Sequence, residues 1–167
     1  MFFFMSISAA LPIVKKLFPN FLITGSVGLW LKKELTRIPK DLDIVVSPED
    51  WNGYISSQDK SLKAPNVSLY NEIDESGNVV MKSAIKIDDL KIDVFIRVIK
   101  KYSQITINGG MYLVADSSYT MEAKKNYCIN ILVKDKLEQF LLHFEKHSKD
   151  IIEYEKLRPK KDINALL

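Results

Sequence analysis

The chain has 167 residues, 47% of them hydrophobic, and its 24 lysines and arginines against 21 aspartates and glutamates give a net charge of +3. This length suits one domain with a substantial core. The charge is too evenly balanced to indicate the dense Lys/Arg face of a dedicated nucleic-acid groove. No apolar run approaches the roughly 20 residues that cross a bilayer, and the lone Cys128 excludes an intramolecular disulfide. We therefore expect a cytoplasmic protein with no membrane partner.

The apolar start, residues 1–12, differs from a secretory signal in its charges. Lys15 and Lys16 follow the apolar run, whereas a signal carries its positive charges before it. We therefore expect a first strand or helix whose phenylalanines cover the core. Residues 21–24 follow as a predicted short buried strand.

Gly25 and Ser26 interrupt the pattern directly after that strand. Residues 27–36 carry apolar side chains at helical spacing, so a helix is predicted to begin at the glycine. Free N–H groups and the helix dipole at such an N-terminus attract phosphate, the serine hydroxyl adds a donor, and glycine permits close approach. A plain turn with a helix cap is the alternative interpretation.

Two carboxylates, Asp41 and Asp43, follow in the segment KDLDIVV, and a third, Asp93, lies in KIDVFI. Side chains alternate along a strand, so Asp41 and Asp43 are predicted to project from one face while Leu42 enters the core. If the two strands are neighbours, three negative groups converge, which is costly unless divalent cations neutralise them. Two Mg²⁺ ions about 3.5–4 Å apart, bound through oxygen ligands, can clamp a phosphoryl displacement. The trio is therefore a candidate metal site.

The order of these motifs resembles the DNA polymerase β-like nucleotidyltransferase superfamily: Gly-Ser, a helix, Asp-hydrophobic-Asp at the head of a strand, and a lone Asp in a later strand. Residues 35–46, LTRIPKDLDIVV, are similar to small bacterial members, including antibiotic nucleotidyltransferases and abortive-infection type II toxins. The resemblance covers residues 21–96 and fills all three metal positions. It implies an α+β (α/β) nucleotidyltransferase fold, with a mixed β-sheet flanked by helices and a C-terminal helix or helices.

The activity implied by the resemblance is transfer of a nucleoside monophosphate from an NTP, such as ATP, to a hydroxyl acceptor, with release of pyrophosphate. Asp41 and Asp43 would hold two Mg²⁺ ions, with Mn²⁺ as a substitute. Asp93 would bind the second ion and take the acceptor proton. The acceptor would be a protein, an RNA end or a small hydroxylated molecule, and a second subunit could complete the pocket.

The resemblance also implies nucleotide contacts. Gly25 and Ser26 would hold the β- and γ-phosphates. Position and charge indicate Arg37 or Lys40 as the group that steadies the leaving pyrophosphate.

A second function class stays open: a catalytically inactive nucleotidyltransferase-fold module for binding or structure, in a toxin–antitoxin or phage-associated setting. The intact acids favour the enzyme, whereas a short chain without an obvious substrate domain favours the module.

Two C-terminal segments are similar to the basic-Asp segment found near the end of several such families. Residues 158–162, RPKKD, have the basic residues and the aspartate, but Ala165 stands where those families often carry an acid. Lys149-Asp150 followed by Glu153 fits that spacing equally well. The sequence alone does not choose between these two registers.

The remaining predicted elements belong to a single domain spanning residues 1–167, with its core at about 21–115. They are a helix, three strands, a hairpin and a C-terminal helical segment: residues 47–57, 67–73, 79–87, 90–98, 105–114 and about 130–167. The second and third strands are predicted to be antiparallel neighbours, which places Asp93 inside the sheet. The glycines at the hairpin turn favour a tight turn over a phosphate loop, because no helix start follows them.

The C-terminal helical segment carries many lysines, which form a solvated face or reach a triphosphate or an acidic substrate. His143 and His147 share a helical face there and could in principle bind zinc. No carboxylate or cysteine partner is evident at a suitable spacing, so we expect both histidines to face solvent.

Overall fold

The computed structural model describes residues 6–59, 61, 65–133 and 137–157. The described residues form five helices and seven strands. In chain order these are α1 (Ile7–Leu17), β1 (Leu22–Thr24), α2 (Gly25–Leu31), β2 (Leu42–Val46), α3 (Pro48–Ser57), β3 (Ser68–Ile73), β4 (Val79–Ile87), β5 (Leu90–Ile96), β6 (Tyr102–Ile107), β7 (Gly110–Ala115), α4 (Ser117–Val133) and α5 (Leu137–Leu157).

The seven strands form one mixed sheet in the order β3-β4-β5-β2-β1-β7-β6. The β2–β5 and β1–β7 pairs are parallel, and the other pairs are antiparallel. The predicted α/β architecture, a mixed sheet flanked by helices with helices at the C-terminal end, is therefore confirmed. The antiparallel pairing of β4 with β5 is confirmed as well.

The two faces of the sheet carry different side chains because neighbours along a strand alternate. One face packs against α1 and α3: Ile44 of β2 and Val94 of β5 are buried there with Phe18 and Trp51. The opposite face carries Asp43 and Asp93 at the alternate positions of the same two strands. The core therefore anchors both strands from behind and leaves the carboxylates on the side where α4 and α5 lie.

Local sequence explains most element ends. Ser47 caps α3 by accepting the Asp50 backbone N–H at 3.1 Å, and Pro48 occupies its first turn, as predicted. The predicted hairpin is also confirmed, because Asn108 and Gly109 both adopt positive φ (48° and 80°) between β6 and β7.

Two helix boundaries differ from the prediction. The helix that begins at Gly25 ends at Leu31 rather than at residue 36, because Lys33 adopts a left-handed conformation (φ 61°) and Glu34 N–H closes a bond to the Leu29 carbonyl at 2.9 Å. This is a Schellman-type stop without its usual glycine. The prediction of a helical segment from about residue 130 was wrong at its start, because α4 already begins at Ser117.

Candidate functional site

Asp43 and Asp93 are neighbours across the parallel β2–β5 pair. Both line a cavity of about 350 Å³ between the sheet and helices α4 and α5. Asp41 lines the same cavity, but it lies one residue before β2 begins and is exposed. The structure thus brings the three predicted carboxylates to one cavity, with two side by side and the third at the rim.

The negative charges of Asp43 and Asp93 repel each other. Burial, and after it the nearby charge of Asp93, raises the pKa of Asp43 to about 6. Asp93 has Lys91 Nζ 3.1 Å from Oδ1 and Lys82 Nζ 3.7 Å from Oδ2, and both lysines are partly exposed. The buried Oδ1 of Asp93 therefore has an ion-pair partner, Lys91, whose side chain is 61% exposed, and it lacks a well-aligned hydrogen bond within the described residues. A cation that binds this oxygen would compete with that exposed lysine.

Gly25 lies directly against Asp43. Its φ is +64°, and a Cβ at this position would stand 2.2 Å from Asp43 Oδ2. Two features therefore require glycine at this position: the positive φ, and the space that the Asp43 carboxylate occupies. The turn and the Asp43 carboxylate are therefore in direct contact.

Ser26 belongs to a four-residue cluster, which we name the cation cluster: Ser26, Arg37, Lys124 and Asp150. The Ser26 hydroxyl accepts from Arg37 Nη2 at 2.9 Å and from Lys124 Nζ at 3.1 Å, and it donates to Asp150 Oδ2 at 3.3 Å. Arg37 binds both Asp150 oxygens at 2.6 Å, and Lys124 Nζ lies 2.9 Å from Oδ2. Three helices and the α2–β2 connection thus meet at this point.

The cation cluster carries two cations and one carboxylate, a net charge of +1. Burial by itself raises the pKa of Asp150, but the hydrogen bond from Arg37 and the charge and hydrogen bond of Lys124 outweigh it and lower that pKa to about 2. Burial lowers the pKa of Lys124 more than Asp150 raises it. The lowered pKa of Asp150 agrees with the excess of positive charge around it, which favours an anion beside the cluster.

All seven residues that the sequence indicated line this one cavity: Gly25, Ser26, Arg37, Lys40, Asp41, Asp43 and Asp93. Lys40 is exposed at its rim. The Ser26 hydroxyl contacts Arg37, Lys124 and Asp150 in the cation cluster, and its predicted contact with phosphate stays a prediction.

Lys124 was not indicated by the sequence, and Asp150 was indicated only as one of two registers. In that register Asp150 is completely buried in the cation cluster, and Glu153 accepts the Thr36 backbone N–H at 2.7 Å. The other register, residues 158–162, lies outside the described residues. So do Lys134 and Lys136, two of the lysines of the predicted C-terminal helical segment. In the sequence, Asp150 is indicated by a second acidic residue, Glu153, three positions later. No local pattern in the sequence indicates Lys124.

The two histidines of α5 contact an aromatic ring of α4. Tyr127 stacks edge-on against His143 and His147, with ring centroids 5.7 Å and 5.0 Å apart. His143 is exposed, but His147 is half-buried beside Lys124, so the solvent-facing expectation holds only for the first. Burial, followed by the charge of Lys124, lowers the pKa of His147 to about 4.

The carboxylates of this cavity can supply part of the ligand shell of a metal ion. Within residues 6–59, 61, 65–133 and 137–157, no three histidine, cysteine or acidic side chains converge into a ready-made metal site. Mg²⁺ commonly uses only one or two carboxylates and completes its shell with water and substrate phosphates. Asp43 and Asp93, whose Oδ1 has an exposed lysine as its ion-pair partner, supply such a partial set. The donor set therefore suits a hard cation that arrives together with a phosphate.

Comparisons with known proteins add little to this geometry. No protein-family model and no curated protein sequence matches the chain. Among solved structures, an H. pylori protein provisionally named a nucleotidyltransferase is similar at a TM-score of 0.37 and 14% identity, covering 98% of this chain and 88% of its own. A likeness at that TM-score carries no argument for this chain. No helix in the described part of the chain is long and apolar enough to span a bilayer.

Proposed function

We propose that this protein is a divalent-cation-dependent nucleotidyltransferase, which moves a nucleoside monophosphate from an NTP to a hydroxyl acceptor and releases pyrophosphate. The observation that supports it is the placement in one cavity of the Asp43–Asp93 pair beside the cation cluster. The carboxylate pair suits a metal ion, and the cation cluster beside it suits phosphate oxygens.

The carboxylates are assigned the metal in this proposal. Asp43 and Asp93 would hold Mg²⁺ or Mn²⁺, with Asp41 reaching in from the rim and two ions as the full complement. When bound, the metal supplies charge neutralisation for the triphosphate and lowers the pKa of the acceptor hydroxyl. Asp93, which lines the same cavity beside Asp43, would accept the acceptor proton.

The cation cluster is assigned the triphosphate. Gly25 and Ser26 line the same cavity as Arg37 and Lys124, so the β- and γ-phosphates would be bound between the turn and these cations. Lys40 at the rim is placed to balance charge on the departing pyrophosphate. The role of Ser26 is changed from the prediction: its hydroxyl orients Arg37 and Lys124 rather than contacting phosphate alone.

One observation favours the inactive-module alternative. Asp93 lies close to Lys82 and Lys91, and an acid paired with lysines can be merely a structural ion pair. The side chains of Lys91 and Lys82 are 61% and 34% exposed, however, so solvent screens both ion pairs.

The deciding experiment is calorimetric titration of the purified protein with each NTP, in Mg²⁺, in Mn²⁺ and in excess EDTA. We expect binding only with a divalent cation, because the carboxylates and a triphosphate repel one another without it. Equal binding in EDTA would overturn the metal assignment. Incubation with α-labelled NTP and a mixture of protein, RNA and small-molecule acceptors then separates the classes: metal-dependent binding without transfer to any acceptor would identify the inactive module.

A further inference from the structure

The cavity extends from the carboxylates to an aromatic end. Tyr70 of β3, Phe95 of β5 and Tyr119 of α4 line it there. Tyr70 and Phe95 meet edge to face, with ring centroids 5.3 Å apart and an interplanar angle of 79°. Aromatic rings in a cavity wall bind planar ligands by stacking and edge contacts.

A carboxylate, Glu72, also lines the cavity at this end. Arg97 donates from Nη1 to Glu72 Oε1 at 2.5 Å, and the two side chains are 3% and 32% exposed. The Arg97 guanidinium lies over the Tyr119 ring at 4.7 Å, which fixes the orientation of the arginine. Glu72 is therefore a positioned acceptor whose charge is already balanced by a buried cation.

The strand order gives the cavity a direction. Glu72 is on β3, Asp93 and Asp43 are on the central strands β5 and β2, and Ser26 follows β1. The aromatic end and the cation cluster thus lie on opposite sides of the carboxylate pair. Along the strands the two also lie at opposite ends: Glu72 contacts Arg97, the residue directly after β5, whereas the Gly25–Ser26 turn follows Thr24, which pairs with Asp43 near the start of the parallel strand β2.

We propose that the aromatic end binds the base of the NTP and that Glu72 selects guanine. This inference rests on the proposed function, since it places the triphosphate at the cation cluster and the α-phosphate at the carboxylates. A carboxylate accepts two adjacent N–H groups, and guanine presents such a pair at N1 and the 2-amino group. Adenine and cytosine present a lone pair beside their amino group, and uracil presents one N–H between two carbonyls. Because Arg97 already balances the charge of Glu72, a neutral donor edge fits better than a cationic amine.

The first test needs no variant. Dissociation constants for GTP, ITP, ATP, CTP and UTP are measured in Mg²⁺ by calorimetry on the full chain. ITP keeps N1–H but lacks the 2-amino group. We expect GTP to bind about tenfold more tightly than ITP and about a hundredfold more tightly than ATP. Equal affinities for GTP and ATP would overturn the assignment of Glu72.

The second test uses Glu72→Gln, which keeps an oxygen for Arg97 but places an amide N–H₂ where the base edge needs an acceptor. We expect the GTP preference over ATP to fall at least tenfold, while the Mg²⁺ dependence of binding is retained. Glu122→Gln, an exposed carboxylate of α4 outside the cavity, is the matched control and should leave the preference unchanged. Circular dichroism establishes that each variant is folded.

The outcomes separate the two proposals. Metal-dependent binding of all NTPs without base preference would overturn the guanine site and leave the nucleotidyltransferase proposal standing. A preference that persists undiminished in a folded Glu72→Gln variant would place base selection elsewhere in the cavity. Failure of every NTP to bind in Mg²⁺ or Mn²⁺ would overturn both.

Discussion

The two charged regions of the cavity are built on opposite electrostatic principles. On the sheet, Asp43 and Asp93 lie side by side, and one oxygen of Asp93 has no hydrogen bond from the described residues. At the junction of α2, α4 and α5, Asp150 is buried between Arg37 and Lys124, and both of its oxygens are bound. The first region has two adjacent carboxylates, and the lysines that pair with Asp93 are partly exposed, whereas the second region is satisfied internally and has one positive charge in excess.

This difference distinguishes a region arranged for a ligand from a region that also holds the fold together. Carboxylates that repel one another lower the stability of the folded chain, so their retention in a cavity points to a use that needs their charge. A buried carboxylate with a bidentate arginine connects distant segments, and its removal leaves uncompensated charges. Substitutions in the two regions should therefore affect stability in opposite directions.

The largest effect is expected for Asp43→Asn. Nucleotidyl transfer should fall by at least about a thousandfold, because a neutral amide cannot hold the metal ions. The free energy of unfolding should be unchanged or raised by up to about 1 kcal/mol, because repulsion from Asp93 and the burial of a charge are both relieved. The measurements are transfer of label from α-labelled NTP and thermal unfolding without metal.

Asp41→Asn should likewise abolish transfer, with less change in stability because Asp41 is exposed. Asp88→Asn is the matched control: Asp88 is exposed in the β4–β5 turn at φ 52°, a conformation that asparagine adopts readily. If Asp43→Asn unfolds the protein and the parent shows no metal-dependent activity, the acids are structural.

The second-largest effect is expected for Asp150→Asn, in the cation cluster. The free energy of unfolding should fall by about 3–5 kcal/mol, because Arg37 and Lys124 lose a buried partner. Glu145→Gln on the same helix breaks an exposed pair with Lys149 and should leave the unfolding midpoint unchanged. An Asp150→Asn variant as stable as the parent would show that the cation cluster does not hold the three helices together.

The effect of Asp150→Asn on the free energy of unfolding should depend on pH. The pKa of Asp150 is about 2 in the folded chain, below its ordinary value of 3.8. A carboxylate with a lowered folded-state pKa stabilises the fold above its unfolded-state pKa, and this stabilisation is lost as the pH falls through the folded-state value. The stability difference between the parent and Asp150→Asn should therefore be constant above about pH 5 and shrink between about pH 4 and pH 2. Urea unfolding at several pH values measures it.

Most of the sheet region could be predicted from the sequence because most of its information is local. Alternating side chains place Asp43 and Asp93 opposite the core residues of their own strands, and the short β4–β5 turn makes β4 and β5 antiparallel neighbours. Gly25 directly follows a buried strand, which marks the start of α2. The parallel pairing of β2 with β5, which sets Asp43 beside Asp93, joins distant segments and could be stated from the sequence only as a condition.

The cation cluster could not be predicted in the same way. Lys124 and Asp150 reach Ser26 across 98 and 124 residues, and no local period encodes such contacts. The early start of α4 was missed because its inner face is mixed: Met121 and Cys128 enter the core, whereas Lys124 and Tyr127 line the cavity. Because part of its inner face lines the cavity, α4 lacks the continuous apolar stripe by which an amphipathic helix is normally recognised in a sequence.

The smallest of the three effects is expected where the two regions meet, at Gly25→Val. A valine here would adopt φ +64° and place its Cβ 2.2 Å from Asp43 Oδ2, so the carboxylate must move and the phosphate approach is blocked. We expect NTP binding to weaken by about 10–100-fold while the domain stays folded, with about 1–2 kcal/mol of lost stability from the left-handed backbone. Gly77→Val is the matched control, because Gly77 has φ +82° but nothing within 4 Å of its added Cβ. It should lose similar stability and bind NTP like the parent. Equal NTP affinities of the two folded variants would show that the Gly25–Ser26 turn does not contact phosphate, and the assignment of the triphosphate would then rest on Arg37 and Lys124 alone.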